Sequence, residues 1–461
     1  MRAMGVDIGT TTVSGVVIDG QTGRALMRLT WPGEAWLPGE KHERLQDAGR
    51  VCERALAMAA QLFEACAPVD AVGLTGQMHG VVYIDALGRA VSPLYTWQDG
   101  RAGLISRGGQ SYSQALSAAC GYAVPEGYGL ATHYYNQAHG LVPGEAAYMV
   151  TIADYAAMRM TGQTLPVLSA SNAASLGAFC LESGDFDRAA LARAGLDTRL
   201  LGEVSARPRV LGTTARGGLP GGVPVAVAIG DNQASFIGSV RDAQDSALVN
   251  VGTGSQVSLL AARPVSCPDC ETRPLDEGAF LLVSSSLCGG RAYALLEKLA
   301  REIAVAAGAP DRPLYDLLER FALKGLEADD PIRVSPLFCG KRSNPALRAS
   351  VTGIGERNFT AAHLAAGMLR GIVEELYQPY LNMCALSGRR ARQLVGSGNA
   401  VRKNAALRRA FESAFEMKLR VPACEEEAAC GAALNALAAC GLRDSLSSAQ
   451  SVIRYADEDG Q

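Results

Sequence analysis

Gly5-Val6-Asp7-Ile8-Gly9-Thr10-Thr11-Thr12-Val13-Ser14-Gly15-Val16-Val17-Ile18-Asp19 consists of two apolar runs hinged on a small polar turn. That pattern predicts a pair of strands with Gly and Thr at their tip. Asp19-Gly20-Gln21-Thr22-Gly23 supplies the next turn. Apolar strand, Gly-Thr turn and second apolar run return at Leu248-Val249-Asn250-Val251-Gly252-Thr253-Gly254-Ser255 and on through Val257, Leu259 and Leu260. The recurrence predicts a diverged internal duplication. Glycine lets a backbone approach an anion closely and threonine adds a short donor, so a turn of this composition suits phosphate. A lone turn reads more readily as a plain hairpin; two related turns favour the phosphate. Asp7, just before the first turn, is placed to hold a hydrated Mg²⁺ that bridges phosphate oxygens.

Outward from these turns, strand candidates at 69–74 and 223–229 alternate with a helical stretch from Arg44 to Cys66, which favours an α/β architecture. In the second half Leu364, Met368, Ile372 and Leu376 recur at helical spacing and are expected in a core. Gly217-Gly218-Leu219-Pro220-Gly221-Gly222 leads into the strand before Asp231, so it is taken as a loop within the first domain. The boundary is then expected near Arg241, giving domains 1–241 and 242–461. Tyr455 to Gln461 is expected to fray.

A chain of 461 residues, 48% hydrophobic and 19% charged, is long enough for more than one core. Its net charge is −3 with no basic stripe, which argues against a nucleic-acid partner. No apolar run reaches the ~20 residues of a membrane-spanning helix, so a cytoplasmic protein is expected. Twelve cysteines at irregular spacing fit reduced thiols, with Cys52, Cys66, Cys430 and Cys440 in apolar helical stretches. Cys267-Pro268-Asp269-Cys270 lacks the second ligand pair that a tetrahedral zinc site needs.

Val225-Ala226-Val227-Ala228-Ile229-Gly230-Asp231-Asn232 carries an apolar strand to its end and sets down a carboxylate there. Ligands of α/β sheets bind at that end, so Asp231 is a candidate general base; as a residue it equally suits an N-cap. Gly73-Leu74-Thr75-Gly76-Gln77-Met78-His79-Gly80 ends another strand and offers an amide, a thioether and an imidazole. Thr96-Trp97-Gln98-Asp99-Gly100-Arg101 adds an indole beside polar groups, a combination that suits a polyhydroxylated ligand with an apolar face. Singly, His79 also reads as a core histidine and Asp99 with Arg101 as a surface ion pair. Leu394-Val395-Gly396-Ser397-Gly398-Asn399-Ala400 is a strand and glycine turn opening a helix, a place for an adenosine to lie against backbone.

Taken in order, Asp7-Ile8-Gly9-Thr10-Thr11, Gln77-Met78-His79-Gly80, Trp97-Gln98-Asp99-Gly100-Arg101, Gly230-Asp231-Asn232, Gly252-Thr253-Gly254 and Gly396-Ser397-Gly398-Asn399 resemble the FGGY carbohydrate kinases over nearly the whole chain. Pro336-Leu337-Phe338-Cys339-Gly340-Lys341-Arg342, Asn358-Phe359-Thr360 and Gly431-Ala432-Ala433-Leu434 add to the resemblance. Within the family, the Gln-Met-His-Gly and Trp-Gln-Asp-Gly-Arg segments are most similar to those of kinases acting on sedoheptulose, with xylulose kinases and other pentulose or polyol kinases as the alternative.

The resemblance implies two ribonuclease-H-like domains of the actin and hexokinase type with a cleft between them. It implies ATP and Mg²⁺ as cofactors and transfer of a phosphoryl group to the terminal hydroxyl of a ketose. By motif, Thr10, Thr11, Gly252 and Thr253 would contact phosphates, with Mg²⁺ near Asp7, and Gly396, Gly398 and Asn399 would meet adenosine. Gln77, Met78, His79, Trp97, Asp99 and Asn232 would line the sugar pocket, and Asp231 would act as base. A homodimer is compatible with this reading. An actin-like or chaperone-like ATPase is the competing class, but it has no need of the sugar-facing segments around Gln77 and Trp97. Two departures stand out: Val13-Ser14-Gly15 replaces the Lys or Arg that relatives commonly carry after the first Gly-Thr, and Arg348-Ala349-Ser350 replaces a usual Arg-Gly pair.

Overall fold

In the first sheet β1 (Arg2–Ile8), β2 (Thr12–Asp19) and β3 (Ala25–Pro32) form an antiparallel meander in which Asp7 faces Ser14 across the ladder. Val6, Ile8, Val13, Val16 and Val17 are fully buried, which explains the near-continuous apolar runs on either side of the turn. The computed structural model describes residues 1–33, 35–106, 108–267, 270–276, 278–341 and 344–458. The helix expected from Arg44 begins at Ala48 and runs to Cys66, because Asp47 caps it by accepting from the Arg50 N–H. Its chain then returns as β4 (Ala71–Gly76), parallel to β1.

β5 (Val210–Thr213), β6 (Pro224–Ala226) and β7 (Ile229–Gly230) complete this sheet, whose path is β5-β6-β4-β1-β2-β3 with β7 also on β4. The single strand expected at 223–229 is therefore two short ones, interrupted where the Val227 N–H turns to the Arg209 carbonyl at 2.8 Å. Gly217–Gly222 stays within the same compact unit.

The second sheet repeats the scheme with β8 (Ser246–Val251), β9 (Ser255–Ala261), β10 (Ala279–Ser286), β11 (Gln393–Ser397) and β12 (Leu419–Arg420). β8, β9 and β10 are antiparallel, and β11 and β12 follow in parallel on the other side of β8. A further strand, Glu271–Asp276, lies at the edge beyond β10, and the rest of the path, β10-β9-β8-β11-β12, has the same order and sense as β3-β2-β1-β4-β6, so the duplication reaches the topology. Met368, Ile372 and Leu376 are buried on the helix Ala361–Ser387 and Leu364 is partly so, forming the core of this unit with Leu394, Phe411 and Phe415.

The compact units are not two continuous halves. Arg273–Ala279 and Glu426–Arg454 belong with Met1–Arg241, while Asp242–Thr272, Phe280–Glu425 and the residues from Tyr455 onward form the second unit. The helix Glu427–Ala439 lies on β1 and β4 of the first sheet, where Gly5 and Gly73 let it approach. A Cβ on Gly5 would stand 1.8 Å from the Ala429 carbonyl oxygen, and one on Gly73 1.9 Å from that of Ala432. Sequence proximity cannot show such a return, because the pairing is made between segments from opposite ends of the chain.

The C-terminal stretch does not fray at its start. Tyr455 is fully buried, and the Ala456 N–H bonds to the Val421 carbonyl at 2.8 Å. Cys267 and Cys270 are joined with Cα atoms 5.2 Å apart, against the expectation of reduced thiols throughout, and Cys430 is disulfide-bonded too and so is not the free hydrophobe that its apolar helical setting suggested. Cys52 and Cys66 are free and buried. No helix among the described residues is long and apolar enough to cross a membrane.

Candidate active site

The turn after β1 is tied into a polar network before any ligand is considered. Gln46, fully buried, donates from Nε2 to the Thr10 carbonyl at 2.9 Å and accepts from Gln77 Nε2 at 3.0 Å. The Gln77 N–H bonds to the Ile8 carbonyl at 2.9 Å, and Trp97 Nε1 donates to Thr10 Oγ1 at 2.9 Å. The Gly-Thr turn, the Gln-Met-His segment and Trp97 are thus one hydrogen-bonded group within the first unit. Trp97 keeps 43% of its surface exposed, and Gln77 Oε1 is buried with no hydrogen-bond partner, an acceptor awaiting a donor.

Asp231 opens the helix Asp231–Ser239, whose N-cap is Gly230. It is therefore one residue past the capping position, with the N–H groups of its own residue and of Asn232 near enough to its carboxylate to favour the ionised form. Burial pushes its carboxyl up to about 6, with the Arg273 guanidinium and those N–H groups pulling the other way. Asp7 is pushed further, to about 8, first by burial and then by the neighbouring Asp231 and Glu426 carboxylates. Its Oδ1 is buried without a hydrogen-bond partner. Buried carboxylates this close together disfavour one another's ionised forms, and a cation among them would reverse that.

His79 sits at φ 72°, in the left-handed region, and its Nδ1 donates to the Ser175 carbonyl at 2.8 Å while its ring stacks on Tyr128 with centroids 4.2 Å apart. The imidazole is thereby oriented with Nε2 left as the other ring nitrogen. Met78 is buried against Gly230: a Cβ there would lie 2.7 Å from the Met78 sulfur. Asp99 and Arg101 form a buried pair where a surface pair was the alternative, with Nε to Oδ1 at 2.6 Å. Asp99 Oδ2 also accepts from the Arg44 N–H at 3.0 Å, and Arg101 reaches Asn136 Oδ1 at 2.9 Å. The Asp99 carboxylate is thus occupied by protein donors and braces the loop behind Trp97.

In the second unit the Gly252-Thr253-Gly254 turn is clasped by the start of the helix Gly290–Ala306. The Gly290 N–H bonds to the Gly252 carbonyl at 2.8 Å, and the Gly289 N–H to that of Thr253 at 3.0 Å. Gly398, at φ 85°, caps the short helix Asn399–Lys403 against β8; a Cβ on it would stand 2.7 Å from the Val251 carbonyl oxygen. Asn250 Nδ2 donates to Ser397 Oγ at 2.7 Å, so the two glycine turns of this unit are linked through β8 and β11.

Residues 2–238 match the FGGY family of carbohydrate kinases, N-terminal domain, and residues 247–440 match its C-terminal domain. The chain belongs to the FGGY family of carbohydrate kinases. As an FGGY kinase it phosphorylates a sugar at the expense of ATP. Its relatives include the sedoheptulokinases of Mus musculus and Homo sapiens, each 28% identical over 94% of this chain and 96% of theirs. The xylulose kinase of Rhodospirillum rubrum shares the fold, with a TM-score of 0.84 at 21% identity over 99% of this chain and 93% of that one. Plasmodium falciparum glycerol kinase with ADP does so with a TM-score of 0.80 at 17% identity over 98% and 92%.

Within the FGGY kinase the departure at Val13-Ser14-Gly15 acquires a setting. Ser14, opposite Asp7, is buried and donates to Thr30 Oγ1 at 3.4 Å, and Thr30 Oγ1 donates to Glu426 Oε1 at 2.7 Å. At that departure this chain has a hydroxyl relay ending on another carboxylate. Arg342 of the supporting Pro336 motif lies outside the described residues. Gln46, Ser171, Asn172, Arg273 and Glu426 are site neighbours that no motif announced. Each comes from a segment distant from the motifs, and only the tertiary fold brings it in.

Proposed function

We propose that this FGGY kinase acts on a ketose, with sedoheptulose as the preferred substrate. Gln77, Met78, His79 and Trp97 would receive the sugar, with Asn232 beside the base and Asp99 holding the Trp97 loop. Asp231 takes the proton of the terminal hydroxyl, whose oxygen attacks the γ-phosphorus of ATP. The new P–O bond forms as the bond to the β-phosphate oxygen breaks and ADP leaves. Thr10, Thr11, Gly252 and Thr253 would offer N–H and hydroxyl donors to the phosphates, and Gly396, Gly398 and Asn399 would accommodate adenosine.

Mg²⁺ fits Asp7. Its orphaned Oδ1 is a hard oxygen donor under repulsion from two carboxylates. Among the described residues no group of three His, Cys, Asp or Glu could hold a metal ion. That suits an ion which keeps most of its waters and takes one carboxylate plus phosphate oxygens. When bound it offsets phosphate charge. We place the enzyme in the cytoplasm.

The observation that carries the choice of sugar is the near full-length likeness to sedoheptulokinases. A xylulose kinase of Streptomyces coelicolor is also 28% identical, but over 51% of this chain, which makes xylulose the second candidate. ADP release measured with sedoheptulose, xylulose, ribulose and glycerol is expected to give the highest kcat/KM for sedoheptulose. A higher value for xylulose would move the assignment to the second sugar, and no stimulation by any of them would reject a ketose substrate.

A further inference from the structure

The approach to Asp231 runs through the break at Val227 and Ala228 between β6 and β7, and side-chain hydrogen bonds hold Ala228 there and add to the pairing of β7 with β4 at Ile229 and Gly230. The Ala228 carbonyl accepts from Asn172 Nδ2 at 3.3 Å, and the Ile229 carbonyl from Thr75 Oγ1 at 2.8 Å. The Gly230 N–H donates to Ser171 Oγ at 3.0 Å. Three successive residues before the base are therefore gripped from the side. Ser171, Asn172 and Thr75 are all buried, at 3%, 1% and 0% exposure.

The grip is itself braced. Asn172 Nδ2 also reaches Asp154 Oδ1 at 2.8 Å, and Asp154 Oδ2 accepts from Thr151 Oγ1 at 2.7 Å. Buried polar groups cost about 1–3 kcal/mol each when left unmade, whereas a fully satisfied network stiffens what it holds. Apolar side chains would close this space without that risk. The same helix, Ala170–Leu176, reaches the sugar-facing segment at its other end: Ser175 Oγ accepts from the His79 N–H at 3.2 Å, and the Ser175 carbonyl takes Nδ1.

We propose that Ser171, Asn172 and Thr75 are positioning residues that fix the Asp231 carboxylate against the sugar hydroxyl, with the helix Ala170–Leu176 as a common reference for the base and for His79. The proposal rests on Asp231 being the base. A near-attack geometry tolerates little drift, since a displacement near 1 Å costs roughly 100-fold in rate. Removing one grip is expected to lower turnover without removing any group that touches substrate.

The test uses the full chain and the pairs Thr75→Val with Thr75→Ser, and Ser171→Ala with Ser171→Thr, measuring kcat, both KM values and the melting temperature. Thr75→Val and Ser171→Ala are expected to lower kcat roughly 10- to 100-fold while each KM stays within about twofold. The hydroxyl-retaining partners are expected to recover most of the turnover. The proposal is overturned if kcat stays near the parent value in Thr75→Val and Ser171→Ala. It is overturned equally if their loss follows the melting temperature and the hydroxyl does not restore it. Asp231→Asn run alongside separates the two ideas: a nearly active Asp231→Asn removes the base and the grip with it, whereas an inactive one beside a normal Thr75→Val removes the grip alone.

Discussion

Asp231 can accept a proton only when ionised, and burial holds its carboxyl up at about 6. The sign is therefore fixed: kcat/KM should fall by roughly tenfold per pH unit below that value and level off above it. Arg273 pulls the value down, so Arg273→Gln should move the acid limb to higher pH. A limb that stays put in that variant would detach Arg273 from the base. Asp231→Ala should lower kcat by roughly 100- to 10,000-fold while nucleotide affinity is kept, measured by titration calorimetry. At this scale the sequence offered Asp7, Asp231 and Gln77 through their place at strand ends. It could not offer Gln46 or Ser171, because their importance lies in what they touch, and nothing in their local spacing marks it.

Among elements, the helix pair Asp231–Ser239 and Glu427–Ala439 decides how firmly the base is seated. The two are packed through glycine: a Cβ on Gly431 would stand 1.8 Å from the Ala234 carbonyl oxygen, and one on Gly238 1.9 Å from that of Glu427. Gly431→Ala should force the helices apart, cost about 3 kcal/mol and lower the melting temperature by roughly 5–10 °C. Activity should fall with it, because the displaced helix begins at Asp231; an unchanged melting temperature and kcat would show that the pair can separate freely. The alternation of strands and helices was legible from apolar period alone. The break at Val227 and Ala228 was not, since an apolar run carries no sign of where its ladder partner ends.

For the whole molecule, the decisive fact is that Glu426–Arg454 completes the first unit. Ala436 packs with Ala71 and Ala226 on the sheet, and Ala429, Ala432 and Ala433 are fully buried. Residues 1–241 expressed alone would leave that sheet face bare, so they should aggregate or fail to melt cooperatively, as read by circular dichroism and size exclusion. A soluble fragment melting like the full chain would show that the C-terminal helix is dispensable.

The chain's own order of residues determined the two strand-turn-strand units, the α/β class and the identity of the chemical groups, because each of these depends on period and composition within a short window. Folding alone decided which segments meet: the return of residues 426–454 to the first sheet, the buried pairing of Asp99 with Arg101, and the side chains that seize the backbone before Asp231. Those are contacts between residues far apart along the chain. Hydrogen bonds and close packing select them by distance in space, to which a local pattern is blind.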